Sequence, residues 1–485
     1  MLKYPPLGSR PLIQLINFKM ATNTKIIATI GPACDNKETL QEMVDAGVGT
    51  FRVNMSHGDS SAKKRLFDLV KSIELSDGNC PAIIADLCGP KIRVTRVPEG
   101  FSINDGDTLS ISNDEGSGDI TVTSGISFSN LKLETNILIN DGRIQLSVSN
   151  ISSANLIECK VLVGGEIELG KGVNFPGVTL DVPAMTEQDG LDLRLALDKG
   201  ADWIALSFVR SADDIINVHN IMDERNKRLP VMAKIEKWEA LEDLQNITEA
   251  FDGIMVARGD LGVEIPSGKV PAAQKEIIEL AGVNGKPVVI ATQLLESMVE
   301  NHTPTRAEVS DIANAIFDGV DCLMVTGETA MGNFPVEVIK TLQQVILETE
   351  GSSDISKNPL PEVITKTADA ISHAVCQIAE DLEVKVIMSM THSGSTARMI
   401  SRYRPNSSIY ALTPFNHIIR QLQLVWGVRP IRVDNYDNVE KIPALCNDII
   451  KEINVLQPGE QFVITGGVPM GIAGTTNYLS IQVHN

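Results

Sequence analysis

The segment Leu229-Pro-Val-Met-Ala-Lys-Ile-Glu236 predicts a buried strand that brings two opposite charges to one place. Pro230 can open a strand without removing an interior ladder hydrogen bond, and the apolar residues after it suit a buried sheet. Because strand side chains alternate faces, Lys234 and Glu236 point the same way at the C-terminal end. Burying two such charges is costly unless they pair with each other or with a ligand. The octapeptide alone leaves a structural ion pair and a binding site equally open.

The next predicted strand favours the binding site. Gly253-Ile-Met-Val-Ala-Arg-Gly-Asp260 is again apolar and ends in a charge, Asp260, on a glycine-containing turn. A lysine and two carboxylates at the exits of successive strands place hard oxygen ligands beside a cation. The pattern predicts a site for Mg²⁺ and a phosphate group.

Composition narrows the class of protein. The chain has 485 residues, 43% of them hydrophobic, and a formal net charge of −20. The length predicts about three domains. The negative charge argues against a general nucleic-acid or anionic-membrane binder, although local cations can still bind an anionic substrate. No apolar run reaches transmembrane length, so we expect no membrane partner.

The seven cysteines contain no CxxC pair, and an odd number cannot all pair within one chain. They indicate reduced thiols and a cytoplasmic location. Residues 1–23 are interpreted as an N-terminal extension. A transit peptide is the alternative, but one would be richer in Arg and Ser.

From Thr24 onward, apolar strand-like segments alternate with helical ones, and eight such strands are predicted within residues 24–93 and 181–350. Eight parallel strands with flanking helices close into a (β/α)₈ TIM barrel, an α/β fold whose active site lies at the strand C-termini. A doubly wound open sheet is the alternative, and the count of eight favours the barrel. Short segments punctuated by Gly, Asn, Asp and Ser predict an all-β insert over residues 94–180.

A separate α/β unit is predicted over residues 351–485. Its loop Thr391-His-Ser-Gly-Ser-Thr396 precedes a helix expected to start near Ala397. Hydroxyls and free backbone N–H groups at a helix N-terminus can bind an anion, and an ordinary Ser/Thr cap is the alternative.

Further polar side chains follow the other predicted barrel strands. Any one of them is more often a capping or packing residue, and their convergence on one barrel mouth is what favours a site. In chain order they are Arg52, Asn54, Ser56, His57, Asp86, Thr292 and Glu328.

Several motifs, in order, resemble those of the pyruvate kinase family over residues 24–485. They are Phe51-Arg-Val-Asn-Met-Ser-His-Gly58, Val231-Met-Ala-Lys-Ile-Glu236, Ala257-Arg-Gly-Asp-Leu-Gly-Val-Glu264, Ala291-Thr-Gln-Leu-Leu-Glu-Ser-Met298, Pro304-Thr-Arg-Ala-Glu308 and Gly327-Glu-Thr-Ala330. The resemblance implies that the insert is a small β-barrel lid domain and that the C-terminal unit binds an effector. It also implies phosphoryl transfer from phosphoenolpyruvate to ADP, giving pyruvate and ATP, the last step of glycolysis.

The resemblance also implies roles for the residues at the barrel mouth. Lys234 would stabilise the phosphoryl group in flight, Arg52 would clamp the phosphate, and Thr292 would support protonation of the enolate carbon. Glu236 and Asp260 would hold Mg²⁺ or Mn²⁺. The backbone N–H groups of Arg258 and Gly259 would orient the substrate carboxylate. The residues expected to bind the nucleotide are His57, Arg93 and Lys171.

Two regulatory expectations follow from the same resemblance. K⁺-dependent members bind the ion at positions that match Asn54, Ser56, Asp86 and the Leu87 carbonyl, and they carry Glu where this chain has Lys91. A tethered ammonium there predicts that K⁺ is not required.

The loop residues Thr391, Ser393, Ser395 and Thr396 match the effector phosphate pocket, so we expect a phosphorylated activator and a homotetramer. The loop Gly466-Gly-Val-Pro-Met-Gly471 lacks the Trp and Arg of bisphosphate-responsive forms and favours a monophosphate, either a sugar phosphate or AMP.

Two rival functions are considered beside this one. One is another barrel enzyme that binds a metal enolate of a phosphoenolpyruvate-type or pyruvate-type acid, which would share the carboxylates without needing the insert. The other is an inactive regulator that keeps only the C-terminal anion site, although every charged residue that the chemistry needs is present.

Overall fold

The computed structural model describes residues 22–75, 78–114, 116–352, 366–436, 438–469 and 474–485. The predicted N-terminal extension at 1–23 lies almost wholly outside these residues. Residues 353–365, near the start of the predicted C-terminal unit, also lie outside them, as do Met470 and Gly471 of the predicted C-terminal loop.

Eight parallel strands close into a barrel, which confirms the predicted (β/α)₈ architecture. In chain order its strands are Lys25–Thr29, Val48–Asn54, Ala82–Asp86, Trp203–Leu206, Val231–Ile235, Gly253–Ala257, Val288–Ala291 and Cys322–Val325. Neighbouring strands pair in sequence order, and the first strand closes the ring on the eighth, with Lys25 opposite Cys322. All eight C-terminal ends therefore meet at one mouth.

Helices surround this barrel and connect its strands. Their bounds are Lys37–Asp45, Ser60–Lys71, Glu187–Lys199, Ile215–Glu224, Trp238–Glu242, Leu244–Ala250, Arg258–Glu264, Val270–Val283, Arg306–Phe317, Gly327–Ala330 and Pro335–Glu350. The helical segment between the fifth and sixth strands is divided at Asp243 into two short helices. The Asp243 carboxylate accepts the Ala212 N–H and the Asn246 side chain, and such bonds compete with helix continuation. No helix in the described part of the chain is both long and apolar enough to span a membrane.

The strands are apolar on both faces because both faces are covered. Outward side chains pack against the helices, and inward ones form a core inside the barrel. This inner core also contains Leu424, which comes from the C-terminal unit. The Leu424 carbonyl accepts a hydrogen bond from Cys322 Sγ at 3.1 Å, and Arg420 pairs with Asp202 at 2.8 Å. The C-terminal unit thus covers the floor of the barrel, opposite the mouth.

The insert between the third and fourth barrel strands is a small, nearly closed β barrel, as predicted. Its strands are Val94–Arg96, Ser102–Ile103, Thr108–Ser112, Ile120–Val122, Asn136–Ile139, Ile144–Ser153, Leu156–Val163, Gly165–Glu166 and Val173–Asn174. It has its own apolar core, with members from Val94 to Leu180. The Asn174 side chain donates to Glu264 of the main barrel at 2.8 Å, which ties the lid to the barrel mouth.

The C-terminal unit is an α/β layer with a five-stranded sheet. The sheet order is Val428–Arg432, Ser408–Thr413, Val386–Met390, Gln461–Gly467 and Thr476–Val483, and the last strand is antiparallel to its neighbour. Its helices are Thr367–Asp381, Ser395–Ser401, Asn416–Gln421 and Ile442–Ile453. The helix predicted near Ala397 therefore begins two residues earlier, at Ser395, because Gly394 adopts the left-handed φ of 77° immediately before it.

Candidate active site

Three barrel strands bring a buried charge cluster to the mouth. Lys234 Nζ lies 3.0 Å from Glu236 Oε1 and 3.2 Å from Asp86 Oδ1. Asp86 also accepts a hydrogen bond from Arg52 Nε at 2.6 Å. The sequence predicts these four residues at strand exits, and the structure brings them into direct contact. Two cations face two carboxylates in a site where the Lys234 side chain is only 10% exposed.

The cluster changes the protonation of its members. Burial favours the neutral form of each group. For Lys234, burial lowers the pKa, but the charges of the Asp86 and Glu236 carboxylates raise it by more, so that the net pKa is raised. Burial is likewise outweighed at Asp86, whose pKa is lowered by the Lys234 and Arg52 cations. For Glu236, burial and the charge of Asp260 raise the pKa against the opposing effect of Lys234. Lys234 and Asp86 are thus charged at neutral pH.

Two residues at the end of the fourth barrel strand also contact the cluster, although the sequence pattern predicts no role for either of them. Ser207 Oγ accepts a hydrogen bond from Lys234 Nζ at 2.7 Å, and the Phe208 N–H donates to Glu236 Oε2 at 2.8 Å. Neither residue carries a charge, and Ser-Phe at a strand end resembles ordinary packing. A pattern of residue types offers no signal for such contacts.

The sequence predicts Asp260 on a glycine-containing loop turn. In the structure, Asp260 lies instead in the first turn of the helix Arg258–Glu264. A carboxylate is favourable there because the first turn of a helix is the positive end of its dipole. Asp260 Oδ1 pairs with Lys91 Nζ at 2.8 Å, and that ammonium also lies 5.8 Å from the centre of the Phe208 ring. Lys91 therefore faces the site rather than solvent.

The donor chemistry of this region fits a divalent cation. The charge of Asp260 acts on the pKa of Glu236, so the two carboxylates are near enough to interact. Carboxylate oxygens are the ligands that Mg²⁺ prefers. Within the described residues, no group of three or more His, Cys, Asp or Glu side chains is placed to hold a metal. Mg²⁺ commonly keeps several water ligands and is held by one or two protein carboxylates together with substrate oxygens, which two carboxylates can satisfy.

Thr292 follows the seventh strand in a strained conformation. It has φ of 68° and its neighbour Gln293 has φ of 55°, which is unusual for two consecutive residues other than glycine. Thr292 Oγ1 accepts the Gly259 N–H at 2.9 Å. The Arg258 guanidinium donates to the carbonyls of both strained residues, and its Nη1 pairs with Asp311 at 2.6 Å. The side chain of Arg258 thus holds the turn that presents Thr292.

The residues expected to bind a monovalent cation lie at the ends of the second and third strands. Asn54 Oδ1 accepts the Ser56 N–H at 3.0 Å, and Asn54 Nδ2 lies 3.1 Å from His57 Nδ1. The Leu87 carbonyl accepts the Ser207 hydroxyl at 2.7 Å.

The two other residues expected to bind the nucleotide lie at the edge of the lid. Arg93 Nη1 donates to the Gly170 carbonyl at 3.0 Å, and Lys171 pairs with Glu168 at 2.9 Å. Arg93 immediately precedes the first lid strand, and the Lys171 carbonyl accepts the N–H of Val94 at 2.9 Å, so the two residues lie close together where the lid begins.

The hydroxyl groups of the predicted effector loop form hydrogen bonds within the loop and with the last strand of the sheet. The Gly394 N–H donates to Thr391 Oγ1 at 2.9 Å, and Ser393 Oγ lies 3.1 Å from Ser395 Oγ. The Thr396 hydroxyl contacts the Thr476 hydroxyl at 2.8 Å.

The fold and the charge cluster define a lidded (β/α)₈-barrel enzyme with a site suited to an anionic substrate. The family model described as "Pyruvate kinase, barrel domain" matches residues 21–339, and "Pyruvate kinase, alpha/beta domain" matches residues 369–482. "Pyruvate kinase 2" of Synechocystis sp. is 43% identical over 476 residues, which cover 95% of this chain and 79% of that protein. "Pyruvate kinase" of Staphylococcus saprophyticus is 39% identical, with coverages of 95% and 80%.

A solved structure agrees with these sequences. The crystal structure of a pyruvate kinase from Cryptosporidium parvum superposes with a TM-score of 0.88 at 32% identity and covers 98% of each chain. The chain belongs to the pyruvate kinase family. It is a phosphotransferase that transfers the phosphoryl group of phosphoenolpyruvate to ADP in glycolysis.

Proposed function

We propose that the buried cluster at the barrel mouth performs this phosphoryl transfer, with Lys234 as its central group. The contact of Lys234 with Asp86 and Glu236 carries the proposal, because those carboxylates keep the ammonium charged and fixed. A preorganised positive charge stabilises the negative charge of the phosphoryl group in flight. Arg52, held by Asp86, clamps the phosphate with its remaining donors.

At the opposite side of the site, Thr292 supports protonation of the enolate carbon. The N–H groups of Arg258 and Gly259, at the start of a helix, orient the substrate carboxylate. The Gly259 N–H donates to Thr292 Oγ1 at 2.9 Å, and if it donated to the substrate carboxylate instead, the Thr292 hydroxyl could turn toward the reacting carbon.

Glu236 and Asp260 would hold Mg²⁺ or Mn²⁺, on which members of this family typically depend. A divalent ion held by these two carboxylates would supply Lewis-acid charge that stabilises the developing negative charge of the reaction. Lys91 Nζ pairs with Asp260 Oδ1, so its ammonium would either share that carboxylate with the ion or give up the contact.

The nucleotide binds across His57, Arg93 and Lys171, between the barrel mouth and the lid formed by residues 94–180. Lid closure excludes water that would otherwise hydrolyse the phosphoryl donor. We further propose that Lys91 replaces the K⁺ bound in other members at positions matching Asn54, Ser56, Asp86 and Leu87.

A regulatory role is proposed for the unit at 351–485. The hydroxyl-rich loop with Thr391, Ser393, Ser395 and Thr396 binds a phosphorylated effector, and a cytoplasmic homotetramer transmits the binding to the barrel. The hydrogen bonds that preform this loop support the proposal, since a preorganised loop spends less entropy on binding.

The test of the catalytic proposal is Lys234→Met in an assay that couples phosphoenolpyruvate and ADP to pyruvate release. The substitution keeps most of the side-chain volume and removes the charge. We expect turnover to fall by at least about a hundredfold, the scale of other charge-stabilising groups. Circular dichroism should show the parental fold. Near-normal turnover by purified Lys234→Met would refute the role of Lys234.

A further inference from the structure

The ammonium of Lys234 has three N–H donors, and three acceptors surround it. Two are the carboxylates of Asp86 and Glu236, at 3.2 and 3.0 Å. The third and nearest is the neutral hydroxyl of Ser207, at 2.7 Å. The neutral acceptor completes the set of hydrogen bonds without adding another negative charge to a site that must receive an anionic substrate.

The Ser207 hydroxyl has one proton, and its direction is set by the surrounding groups. It donates to the Leu87 carbonyl at 2.7 Å, while Asp86 Oδ1 is farther away, at 3.4 Å. With its proton on Leu87, the oxygen presents its lone pairs to Lys234. Ser207 is only 3% exposed, so bulk water has little access to these hydrogen bonds.

The neighbouring backbone is also shaped around the site. Phe208 has φ of 56°, which is unusual for a bulky residue. In this conformation its N–H reaches Glu236. Gly89, at φ of 70°, packs so closely that an added Cβ would lie 3.0 Å from the Ser207 Cβ and 2.9 Å from the Phe208 ring. The exit of the fourth strand therefore has little freedom to move away from the cluster.

We propose that Ser207 is a positioning residue for phosphoryl transfer, which directs the Lys234 ammonium toward the transferred group. The inference rests on the proposed function of Lys234. Without the hydroxyl, one ammonium proton has no acceptor and the ammonium shifts toward Asp86 and Glu236. Substrate binding depends mainly on Arg52, the metal ligands and backbone N–H groups, so it should change little.

The experiment compares Ser207→Ala with the parent enzyme in steady-state kinetics. A hydrogen bond to a charged group typically contributes enough that its loss should lower kcat by about 10- to 100-fold. KM for phosphoenolpyruvate, and Kd for Mn²⁺ measured by direct titration, should stay within about threefold, because Glu236 and Asp260 are intact. Ser207→Cys nearly preserves the volume but offers a weak acceptor, so it should show the same selective loss even if the alanine variant folds poorly.

The matched control is Ser407→Ala. Ser407 is also buried, and its hydroxyl donates to the Val384 carbonyl at 2.5 Å, far from the barrel mouth. It should lower thermal stability without lowering kcat. Parental kcat in both Ser207→Ala and Ser207→Cys would overturn the positioning role, as would an equal loss of kcat in the control.

Lys234→Met separates the two proposals. If it is inactive while both Ser207 variants are normal, only the Ser207 inference fails, and if it is active the role of Lys234 fails as well.

Discussion

The proposed independence from K⁺ rests on a single residue, Lys91. Its ammonium contacts Asp260 and lies beside the site. Two positive charges a few ångströms apart repel by roughly 1–4 kcal/mol at effective dielectric constants of about 80 to 20, so Lys91 and a bound K⁺ should compete. We predict full activity without K⁺ and K⁺-dependent activity for Lys91→Glu. Both are assayed in a buffer whose only monovalent cation is tetramethylammonium.

Lys160→Glu is the control for this prediction, because it makes the same charge change at an exposed position on the lid strand Leu156–Val163. It should remain independent of K⁺. A parent enzyme that is inactive in tetramethylammonium and regains activity on adding KCl would contradict the proposed role of Lys91.

Lys25 gives a prediction about pH. It begins the first barrel strand, and its ammonium donates to the Val428 carbonyl at 2.9 Å. Burial and the charge of Arg429 lower its pKa from 10.5 to about 8. Between these pH values the unfolded chain binds the proton that the folded chain has released, so stability rises with pH. The free energy of unfolding of the parent, minus that of Lys25→Met, should therefore increase from pH 8 to 10. Urea titrations that give a constant difference would refute this assignment.

At the residue scale, charged groups could be predicted and neutral ones could not. Lys234, Glu236 and Asp86 were identified because a charge at the exit of an apolar strand needs a partner. No sequence pattern predicts the contact of Ser207 with Lys234, because a buried serine is usually only a packing residue. The contact of Lys91 with Asp260 also required coordinates, since the two residues come from different strand exits.

Among the secondary-structure elements, the helix Glu187–Lys199 has an N-terminal cap that also bonds to the loop after the third barrel strand, at Gly89. The buried carboxylate of Asp189 accepts the N–H and hydroxyl of Thr186, and also the N–H of Gly89 at 3.1 Å. Asp189→Ala leaves buried donors without acceptors, so it should lower the free energy of unfolding by roughly 2–4 kcal/mol. Glu187→Ala, on the exposed side of the same first turn, should change it by less than about 0.5 kcal/mol. Equal effects of the two substitutions in urea denaturation would contradict the bridging role.

The elements themselves were predictable where hydrophobic periodicity was strong. All eight barrel strands lie where apolar runs predicted them, because each is buried on both faces. Element ends were less predictable. The break at Asp243 and the start of a helix at Ser395 depend on side-chain bonds and a left-handed glycine, which periodicity does not reveal.

For the whole molecule, the prediction concerns regulation. A monophosphate should fit the hydroxyl-rich loop of the C-terminal unit better than a bisphosphate. We expect AMP or a sugar monophosphate to lower the half-saturating concentration of phosphoenolpyruvate severalfold, a coupling of about 1–3 kcal/mol. Titration of each effector against initial rate tests this. Activation by fructose 1,6-bisphosphate but by no monophosphate would reverse the ranking.

The order of barrel, lid and C-terminal unit was predictable from changes in periodicity along the chain. The way in which the units join was not. Leu424 reads as one apolar residue among many in its segment, yet it completes the core inside a barrel whose last strand ends about a hundred residues earlier. Such long-range packing leaves no local pattern in the sequence.

That shared core has a consequence for how the chain folds during synthesis. The first barrel strand pairs with the eighth, so the ring cannot close before residue 325 has left the ribosome. Its floor stays uncovered until Leu424 arrives. At roughly 5–20 residues per second, the nascent barrel exposes apolar surface for several seconds or more. The C-terminal unit, which is made after the barrel, therefore buries apolar surface that the completed ring of strands still exposes.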